Sequence, residues 1–261
     1  MRIYKIVPPC SKYCPADFLS IAEELDPVIA GAEYFCLKKH DLSTTVGVIK
    51  GEIFGLPHDI MVKRFNYKGL LNFLFKKIFG SRARRLWYIN MKLYERGLPV
   101  AVPFAYLEPS FRRKNSFYLS SFIENSDNLG NIYKRGLFIE HGKIALILGQ
   151  AIAQWHAAGA VHGDLKWSNI LLQKNGHDWR FFFVDLDQAV FFGAINMRGV
   201  LKDLVRFYRY GLELGAEDWV DLEFLPAYMS SLPKGIQGTL DLAFIKERAR
   251  KDREKKGRRT L

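Results

Sequence analysis

Three short segments in the first quarter of the chain concentrate β-branched and aromatic residues. They cover residues 32–37, 44–50 and 60–65, and Gly, Pro, Asp and His residues bound them. This composition with these boundaries is typical of strands. Residues 117–123 form a fourth such segment, and a polar turn at 125–130 follows it. We therefore predict a small antiparallel sheet that ends at a hinge in the polar turn.

Other parts of the chain carry apolar residues at helical spacing. Ile144, Leu148, Ile152 and Trp155 share one face of a helix. We expect this helix to end at Gly159, because glycine readily adopts the left-handed conformation of a helix C-terminus. Further helices are predicted at 68–96, with a break at Gly80 and Ser81, at 201–214 and at 240–256.

A β-hairpin is predicted at residues 170–184, where two apolar segments flank Asn175-Gly176. Asn-Gly is the strongest short-range signal for a two-residue hairpin turn. With that turn, Asn169 would lie opposite Phe182, and Asp185 would follow the second strand. The hairpin would thereby bring Asn169 and Asp185 towards each other.

The formal charge of +12 is concentrated in two zones of the 261-residue chain. Residues 63–94 contain nine basic residues and no acidic residue, and residues 246–259 contain nine basic and three acidic residues. The rest of the chain carries a net charge of −3. Such cationic zones usually contact phosphates or an anionic membrane surface. Because no nucleic-acid-binding motif accompanies them, we do not expect a nucleic-acid partner.

The sequence favours a cytoplasmic location. The first ten residues lack the apolar core of a signal peptide. The most apolar stretch, 144–161, contains Gly149, Gln150, Gln154 and His156, which favours a buried helix over a membrane span. The three cysteines, an odd number, fit a reducing compartment better than a disulfide framework.

The segment from His162 to Asn169, HGDLKWSN, has the spacing of a kinase catalytic loop, in which Asp164 is the base. Phosphoryl transfer needs positioning and charge neutralisation more than covalent chemistry, and an Asp and an Asn on one loop can supply both. Asp185, in the sequence VDLD, follows an apolar strand where kinases place their principal magnesium ligand. Asp187 stands in place of the usual glycine and either assists with metal or caps a turn.

Lys63 is the candidate ligand of the nucleotide phosphates. It lies inside the third predicted strand, where a kinase lysine pairs with the α and β phosphates. The alternative is a lysine exposed to solvent on the strand. A slip of one residue in the alignment would exchange the faces of Lys63 and its neighbour Arg64. The helix after Lys63 has no acidic residue before Glu95, so the usual glutamate partner of this lysine is missing.

A glycine-rich phosphate loop is also missing. Residues 40–51, which occupy the corresponding place, contain only two glycines. Ser43, Thr44 and Thr45 are the candidate replacements, because their backbone and hydroxyl groups can donate hydrogen bonds to phosphate.

Taken together, these motifs resemble the bacterial lipopolysaccharide kinase family, whose members phosphorylate Kdo or heptose in the inner core and have a protein-kinase-like fold. The resemblance spans roughly residues 34–210. The catalytic loop alone is shared with aminoglycoside phosphotransferases and other small-molecule kinases. The motifs that carry the resemblance are STTV at 43–46, VKRFN at 62–66, GLPV at 97–100, VHGDLKWSN at 161–169 and VDLD at 184–187.

The resemblance implies a role for each site residue. Asp164 would be the base for a sugar hydroxyl, and Lys166 would neutralise the transferred phosphoryl group. The implied ligands are Lys63 for the phosphates of ATP, Asn169 and Asp185 for Mg²⁺, and the backbone of Phe122 to Glu124 for adenine.

The resemblance also implies an α+β, protein-kinase-like bilobal fold. We expect a β-rich, nucleotide-binding N-lobe at 1–124, a mainly helical, catalytic C-lobe at 125–245 and a basic tail at 246–261. The expected reaction is ATP-dependent phosphorylation of heptose or Kdo in the lipopolysaccharide core, at the cytoplasmic face of the inner membrane. The basic zones and an apolar helix at 68–79 are candidate contacts with that anionic surface.

Two other functions stay open on the sequence. The poor phosphate loop and the missing acidic partner fit a non-catalytic module that binds nucleotide or lipopolysaccharide. The catalytic loop also fits a kinase for another small molecule or for a protein. The sequence does not indicate an oligomeric state.

Overall fold

The computed structural model describes residues 2–6, 35–54, 58–66, 80–108, 115–136, 141–176 and 178–257. These residues divide into two compact units. The first unit lies within 1–94 and 101–124, and the second lies within 95–100 and 125–261. Each unit has its own β-sheet structure and its own buried apolar residues.

The first unit is built on a six-stranded antiparallel sheet with the strand order β1-β5-β6-β4-β3-β2. The strands are β1 Arg2–Ile6, β2 Phe35–His40, β3 Thr44–Ile49, β4 Ile60–Phe65, β5 Pro103–Glu108 and β6 Ser116–Ser121. A short 3₁₀ turn, Gly51–Phe54, follows β3.

Within the described part of this unit, one helix, α1 Arg82–Tyr94, packs on β5 and β6. It begins after Gly80, whose φ of 74° is left-handed, and the Ser81 hydroxyl caps its first turn by accepting the Arg84 N–H at 3.1 Å. The Trp87 side chain is 1% exposed, and its ring centroid is 5.4 Å from that of Tyr106 on β5. This contact buries the apolar face of the helix against the sheet.

Most strand predictions for this unit are confirmed. The segments predicted at 44–50 and 60–65 form β3 and β4. The segment predicted at 117–123 forms β6, which begins one residue earlier and ends two residues earlier than predicted. The first predicted strand is displaced, because β2 begins at Phe35 and continues to His40. The predicted membrane-contacting helix at 68–79 lies outside the described residues.

The second unit is mainly helical. Its helices are α2 Leu129–Lys134, α3 His141–Ala157, α4 Met197–Glu213, α5 Glu217–Trp219, α6 Leu225–Ser231, α7 Lys234–Gln237 and α8 Leu242–Gly257, with a π-helical segment Val220–Phe224 between α5 and α6. Its short strands are β7 Ser126–Asn128, β8 Ala160–Val161, β9 Ile170–Asn175, β10 Asp178–Phe183 and β11 Val190–Phe191.

The predicted hairpin forms, but its predicted register is wrong. Phe183 pairs with Ile170, and Val184 N–H donates to the Asn169 carbonyl at 3.0 Å. The turn lies one residue further along the chain than Asn175-Gly176, because Asn175 already pairs with Asp178. Asn169 therefore lies opposite Val184 instead of Phe182, which places it beside the residue that precedes Asp185.

An aromatic cluster supports the loop between β8 and β9. Trp167 is fully buried, and its indole N–H donates to the Phe207 carbonyl of α4 at 3.1 Å. The ring centroids of Trp167 and Trp219 are 5.5 Å apart, and those of Phe207 and Phe224 are 4.2 Å apart. Such pairs stabilise a fold by about 0.5–1.5 kcal/mol each beyond the area they bury. The cluster fixes the loop on α4.

The basic C-terminal segment is a packed helix as far as Gly257. Ile245 and Ala249 of α8 are fully buried, and α8 packs along α4. Lys246 pairs with Asp221 at 2.9 Å, and Lys256 pairs with Glu213 at 3.0 Å. Among the described residues, no helix has both the length and the apolar character needed to cross a bilayer.

Candidate active site

The loop from His162 to Asn169 is anchored by a buried carboxylate. Asp203 on α4 is 1% exposed, and its two oxygens accept the backbone N–H groups of His162 at 2.6 Å and Gly163 at 2.9 Å. A hydrogen bond to a charged acceptor is about twice as strong as one between neutral groups. Asp203 therefore holds the backbone of the two residues that precede Asp164.

His162 connects this loop to the segment that carries Asp185. Its Nε2 donates to the Val184 carbonyl at 3.1 Å, and its Nδ1 accepts the Asp164 N–H at 3.3 Å. Burial lowers the pKa of His162 below its ordinary value, which outweighs the opposing effect of the Asp203 carboxylate. The neutral ring with its proton on Nε2 satisfies both contacts, so His162 has a structural role.

The Asp164 carboxylate is surrounded by donors from three residues. Arg206 of α4 forms a hydrogen-bonded ion pair with Oδ1. The Lys166 ammonium lies 3.2 Å from Oδ2, and the Asn169 carboxamide nitrogen donates both to Oδ2 at 3.2 Å and to the Asp164 carbonyl at 2.9 Å. The second unit thus brings the predicted base, the predicted phosphoryl-neutralising lysine and a predicted metal ligand together.

Asp185 follows directly after the residue that pairs with Asn169. Its backbone is left-handed, with φ 60° and ψ 49°, and its side chain is exposed. Asp tolerates this conformation better than most residues, and non-glycine residues with positive φ cluster at functional sites. The conformation turns the chain sharply after β10, just beyond the Asn169 pairing position.

The side-chain oxygens of Asn169 and Asp185 are of the kind that Mg²⁺ prefers as ligands. Asn169 uses its carboxamide nitrogen for its side-chain hydrogen bonds, which leaves the carboxamide oxygen as a ligand atom. Within the described ranges, no group of three or more His, Cys, Asp or Glu side chains is arranged to hold a metal ion. Mg²⁺ needs no such group, because it is usually held by one or two carboxylates together with water and substrate phosphates.

Lys63 and the candidate phosphate loop lie in the first unit. Lys63 is 7% exposed and stands on β4 between Val46 of β3 and Tyr118 of β6. Its ammonium lies 5.6 Å from the centroid of the Phe65 ring. Lys63 is therefore buried on its strand, and the alternative prediction of a solvent-exposed lysine is wrong.

The β2–β3 turn is organised around the Asp41 carboxylate. Oδ1 accepts the Ser43 N–H, the Ser43 hydroxyl and the Thr44 N–H, each at 2.7 Å. These donors hold the pKa of Asp41 well below its usual range, and the Ser43 hydroxyl has the largest effect. Thr45 is buried, and its hydroxyl accepts from Arg64 at 3.3 Å. The Ser43 and Thr44 donors predicted for phosphate thus already have an acceptor, the Asp41 carboxylate.

The segment predicted to contact adenine follows β6. Phe122 N–H donates to the Asp59 carbonyl at 3.0 Å, so this donor is used within the sheet. The Lys38 ammonium lies 5.9 Å from the Phe122 ring centroid. Glu124 is exposed at the end of the unit.

Comparison with known proteins identifies the family. A model described as "Lipopolysaccharide kinase (Kdo/WaaP) family" matches residues 63–228, which is more than half of the chain. The chain belongs to this family. The resemblance drawn from the motifs is thereby confirmed, and the match includes Lys63, the catalytic loop and Asp203.

Two curated proteins match part of the chain. A 3-deoxy-D-manno-octulosonic acid kinase from Stenotrophomonas maltophilia (strain K279a) is 29% identical over 122 residues, which cover 44% of this chain and 46% of that protein. The KEOPS complex subunit Bud32 from Pyrococcus abyssi is 30% identical over 93 residues, 36% of this chain and 40% of that protein. The chain spans about half the length of the curated relatives it matches.

A solved structure from the family shows the fold. "WaaP in complex with acyl carrier protein" matches with a TM-score of 0.67 and 19% identity, covering 98% of this chain and 99% of that chain. The antiparallel sheet of the first unit and the helices of the second agree with this match. The predicted α+β, protein-kinase-like fold is confirmed.

Two residues of the site were not predicted from the sequence. Asp203 and Arg206 lie on the predicted helix at 201–214, but no role was assigned to them. Asp203 sits among Val200, Leu204 and Phe207, which are all buried. A charged residue at a core position of an amphipathic helix is rare unless it is paired, and this signal could have identified Asp203.

Proposed function

We propose that this protein is an ATP-dependent kinase that transfers phosphate to a sugar hydroxyl of the lipopolysaccharide inner core, on heptose or Kdo. The observation that carries the proposal is the arrangement around the catalytic loop. Asp203 fixes the loop that bears Asp164 and Asn169, and the turn at Asp185 follows the residue that pairs with Asn169. Family membership supports phosphoryl transfer, and the 3-deoxy-D-manno-octulosonic acid kinases support a saccharide acceptor.

In the proposed reaction, an oxygen of Asp164 accepts the proton of the acceptor hydroxyl. The hydroxyl oxygen bonds to the γ-phosphorus of ATP while the bond from that phosphorus to the β,γ-bridging oxygen breaks, which releases ADP. Lys166 lies beside Asp164, so its ammonium can offset negative charge on the transferred phosphoryl group. Positioning and charge neutralisation of this kind account for most of kinase catalysis.

We propose Asn169 and Asp185 as the residues that hold Mg²⁺ when ATP binds. The ion would supply charge neutralisation at the nucleotide phosphates. In the first unit, Lys63 is the proposed phosphate ligand, and the backbone of Phe122 to Glu124 is the proposed adenine contact. Of the backbone groups at Phe122, the carbonyl is the one left for adenine, since its N–H is donated to Asp59.

Ser43, Thr44 and Thr45 are retained as proposed phosphate contacts, with one condition. Nucleotide phosphate would have to compete with the Asp41 carboxylate for the Ser43 and Thr44 donors. Replacing Asp41 with Asn removes that competing charge. If the turn contacts phosphate, Asp41→Asn should lower the Kd for ATP, and an unchanged Kd would remove the turn from the site.

The occupied donors also favour a second candidate function, a non-catalytic module that binds nucleotide or lipopolysaccharide. A turn whose donors are satisfied internally has less to offer a phosphate. The arrangement around Asp164 favours the catalytic proposal, because a binding module does not need a base held between Arg206, Lys166 and Asn169.

The proposed location is the cytoplasmic face of the inner membrane, where the acceptor is assembled. Peripheral contact through the basic C-terminal helix is part of this proposal. Several cations of α8 pair with acidic residues of the same unit, among them Lys246, Arg250 and Lys256. Because these pairs reduce the free positive charge, we expect vesicle binding to be weak and to disappear as salt rises.

The test uses purified protein, Mg²⁺, γ-labelled ATP and core oligosaccharides that carry unphosphorylated heptose or Kdo. We expect label on one of these sugars, located by mass spectrometry, and loss of the same phosphate from lipopolysaccharide of cells that lack the protein. Nucleotide binding without transfer to any acceptor would support the non-catalytic module. Transfer only to an unrelated small molecule or a protein would reject the lipopolysaccharide substrate.

A further inference from the structure

A cavity of about 700 Å³ opens beside the catalytic loop in the second unit. Gly163, the residue before Asp164, lines one end of it together with Gln188. Helices α4 and α8 line the rest. The proposed function uses Asp164 and its neighbours but assigns nothing to this cavity, which we name the α4–α8 groove.

The α4–α8 groove is strongly cationic. Five basic side chains line it, and Asp252 is the only acidic lining residue among those the structure describes. Leu201, Val205 and Phe244 supply apolar wall between the charges. Apolar surroundings lower the local dielectric constant and strengthen the attraction of an anion to each cation. The basic lining residues are Arg198, Lys202, Arg206, Arg209 and Arg248.

Three of these cations have partners within the fold. Arg206 pairs with Asp164, Arg209 lies 3.5 Å from Glu213, and Arg248 lies 3.4 Å from Asp252. Arg198 and Lys202 are exposed and form no ion pair with any residue in the described part of the chain. The positive charge at the Arg198 end of the groove is therefore uncompensated.

The spacing of the uncompensated cations suggests a ligand with more than one anionic group. Arg198 and Lys202 are four residues apart on α4, about one helical turn or roughly 6 Å along its axis. Arg206 continues the same row towards Asp164. Like charges at this spacing destabilise a helix, and Arg198, in the first turn of α4, also opposes the helix dipole. A bound polyanion would remove both penalties.

We propose that the α4–α8 groove binds the anionic substituents of the phosphoryl acceptor, which is a saccharide carrying carboxylate or phosphate groups besides its reacting hydroxyl. Arg198 and Lys202 are the specificity-determining residues, and Arg206 positions Asp164 at the inner end of the groove. This inference rests on the proposed function for the identity of the acceptor, but binding to the groove can be measured without turnover.

The experiment compares three probes by calorimetry on the full chain. They are a deacylated inner-core oligosaccharide that retains its Kdo carboxylates and phosphates, the same oligosaccharide after carboxyl reduction and dephosphorylation, and phosphatidylglycerol vesicles. The test variant is Arg198→Gln with Lys202→Gln. The matched control is Lys134→Gln with Lys234→Gln, which removes the same charge from exposed lysines of the same unit that lie outside both the groove and the basic C-terminal helix.

We expect the test variant to raise the Kd for the anionic oligosaccharide by about tenfold or more, since two charge-assisted contacts are lost. The control variant should leave this Kd unchanged, and the neutral oligosaccharide should bind the wild type and both variants equally weakly. Equal Kd values for test and control variants would overturn the proposal. So would loss of vesicle binding in the test variant without any change in oligosaccharide binding, because that result assigns the cations to a membrane.

Turnover separates this inference from the proposed function. If the protein phosphorylates the oligosaccharide, the test variant should raise KM for it and leave KM for ATP unchanged. If no phosphate is transferred but the Kd difference appears, the groove stands as a binding site and the proposed kinase activity fails. If phosphate is transferred and the oligosaccharide KM is unchanged, the kinase stands and the groove is rejected.

Discussion

Removal of the Asp203 carboxylate should loosen the catalytic loop and destabilise the fold. Asp203→Ala deprives the backbone N–H groups of His162 and Gly163 of their acceptors, at 2.6 and 2.9 Å. The substitution also removes the carboxylate oxygen that lies 3.5 Å from His156 Nε2. The loop would then be held mainly by the His162 ring and by the buried Trp167.

The expected size of the effect follows from these contacts. A hydrogen bond to a charged group contributes about 1.5–3 kcal/mol, and a buried donor left without a partner costs a similar amount. Two such bonds give a loss of about 3–5 kcal/mol in the free energy of unfolding, with the lower end favoured because Gly163 is only partly buried. Asp203→Asn keeps one acceptor oxygen and should cost about half as much.

Equilibrium urea unfolding, followed by tryptophan fluorescence, measures the loss. Hydrogen exchange of the His162 and Gly163 amides provides a local measure, and both should exchange faster in Asp203→Ala. Displacement of Asp164 should also lower kcat by about 10²-fold. Asp218→Ala, at an exposed position on α5, is the control and should stay within about 0.5 kcal/mol of the wild type. A similarly small change for Asp203→Ala would refute the anchoring role.

Two further predictions concern the same loop. Burial lowers the pKa of His162 below its ordinary value of 6.5, so the unfolded chain binds a proton more readily than the folded one. Stability should therefore fall as the pH drops below about 6.5, and His162→Gln should show a shallower fall in urea unfolding at a series of pH values; an equal fall would contradict the assignment. Gly163→Ala should destabilise more than Gly215→Ala, although both glycines have positive φ, of 77° and 71°. An added Cβ at Gly163 would lie 2.6 Å from the Gln188 carbonyl, whereas Gly215 has open space, so equal thermal midpoints for the two variants would show that this contact relaxes freely.

Local composition predicted the elements of the sheet well. The strands β3 and β4 begin at the predicted residues, because β-branched and aromatic residues in short bounded segments suit a pleated, half-buried surface. The helix from Ile144 also formed, since its apolar stripe has few other ways to be buried. These features depend on neighbouring residues and need no information from distant parts of the chain.

The register of the hairpin depends on the position of its turn, which the sequence signal did not locate to the residue. Asn175-Gly176 is a strong turn signal, but the pairing of Asn175 with Asp178 moves the turn by one residue. The choice between these turns is made by the pairing of apolar residues along both strands, such as Phe183 with Ile170. The corrected register pairs Asn169 with Val184, the residue that precedes Asp185, and so places the two closer in the ladder than predicted.

Contacts between distant residues could not be predicted. Asp203 lies 41 positions after His162, and only the packing of α4 against the loop brings the two together. The Ser43 and Thr44 donors were identified, but their occupation by Asp41 depends on the geometry of the turn. The partners of a candidate site are thus harder to predict than the site residues, because partners are chosen by the fold.

The most direct test of the central claim is phosphate transfer by Asp164→Asn, measured in a single turnover with saturating ATP and core oligosaccharide. The carboxamide keeps the shape of the side chain but is a far weaker base. We expect a rate at least about 10²-fold lower, with unchanged ATP affinity and with full activity in the exposed control Asp178→Asn. Full activity of Asp164→Asn would contradict the assignment of this residue as the base.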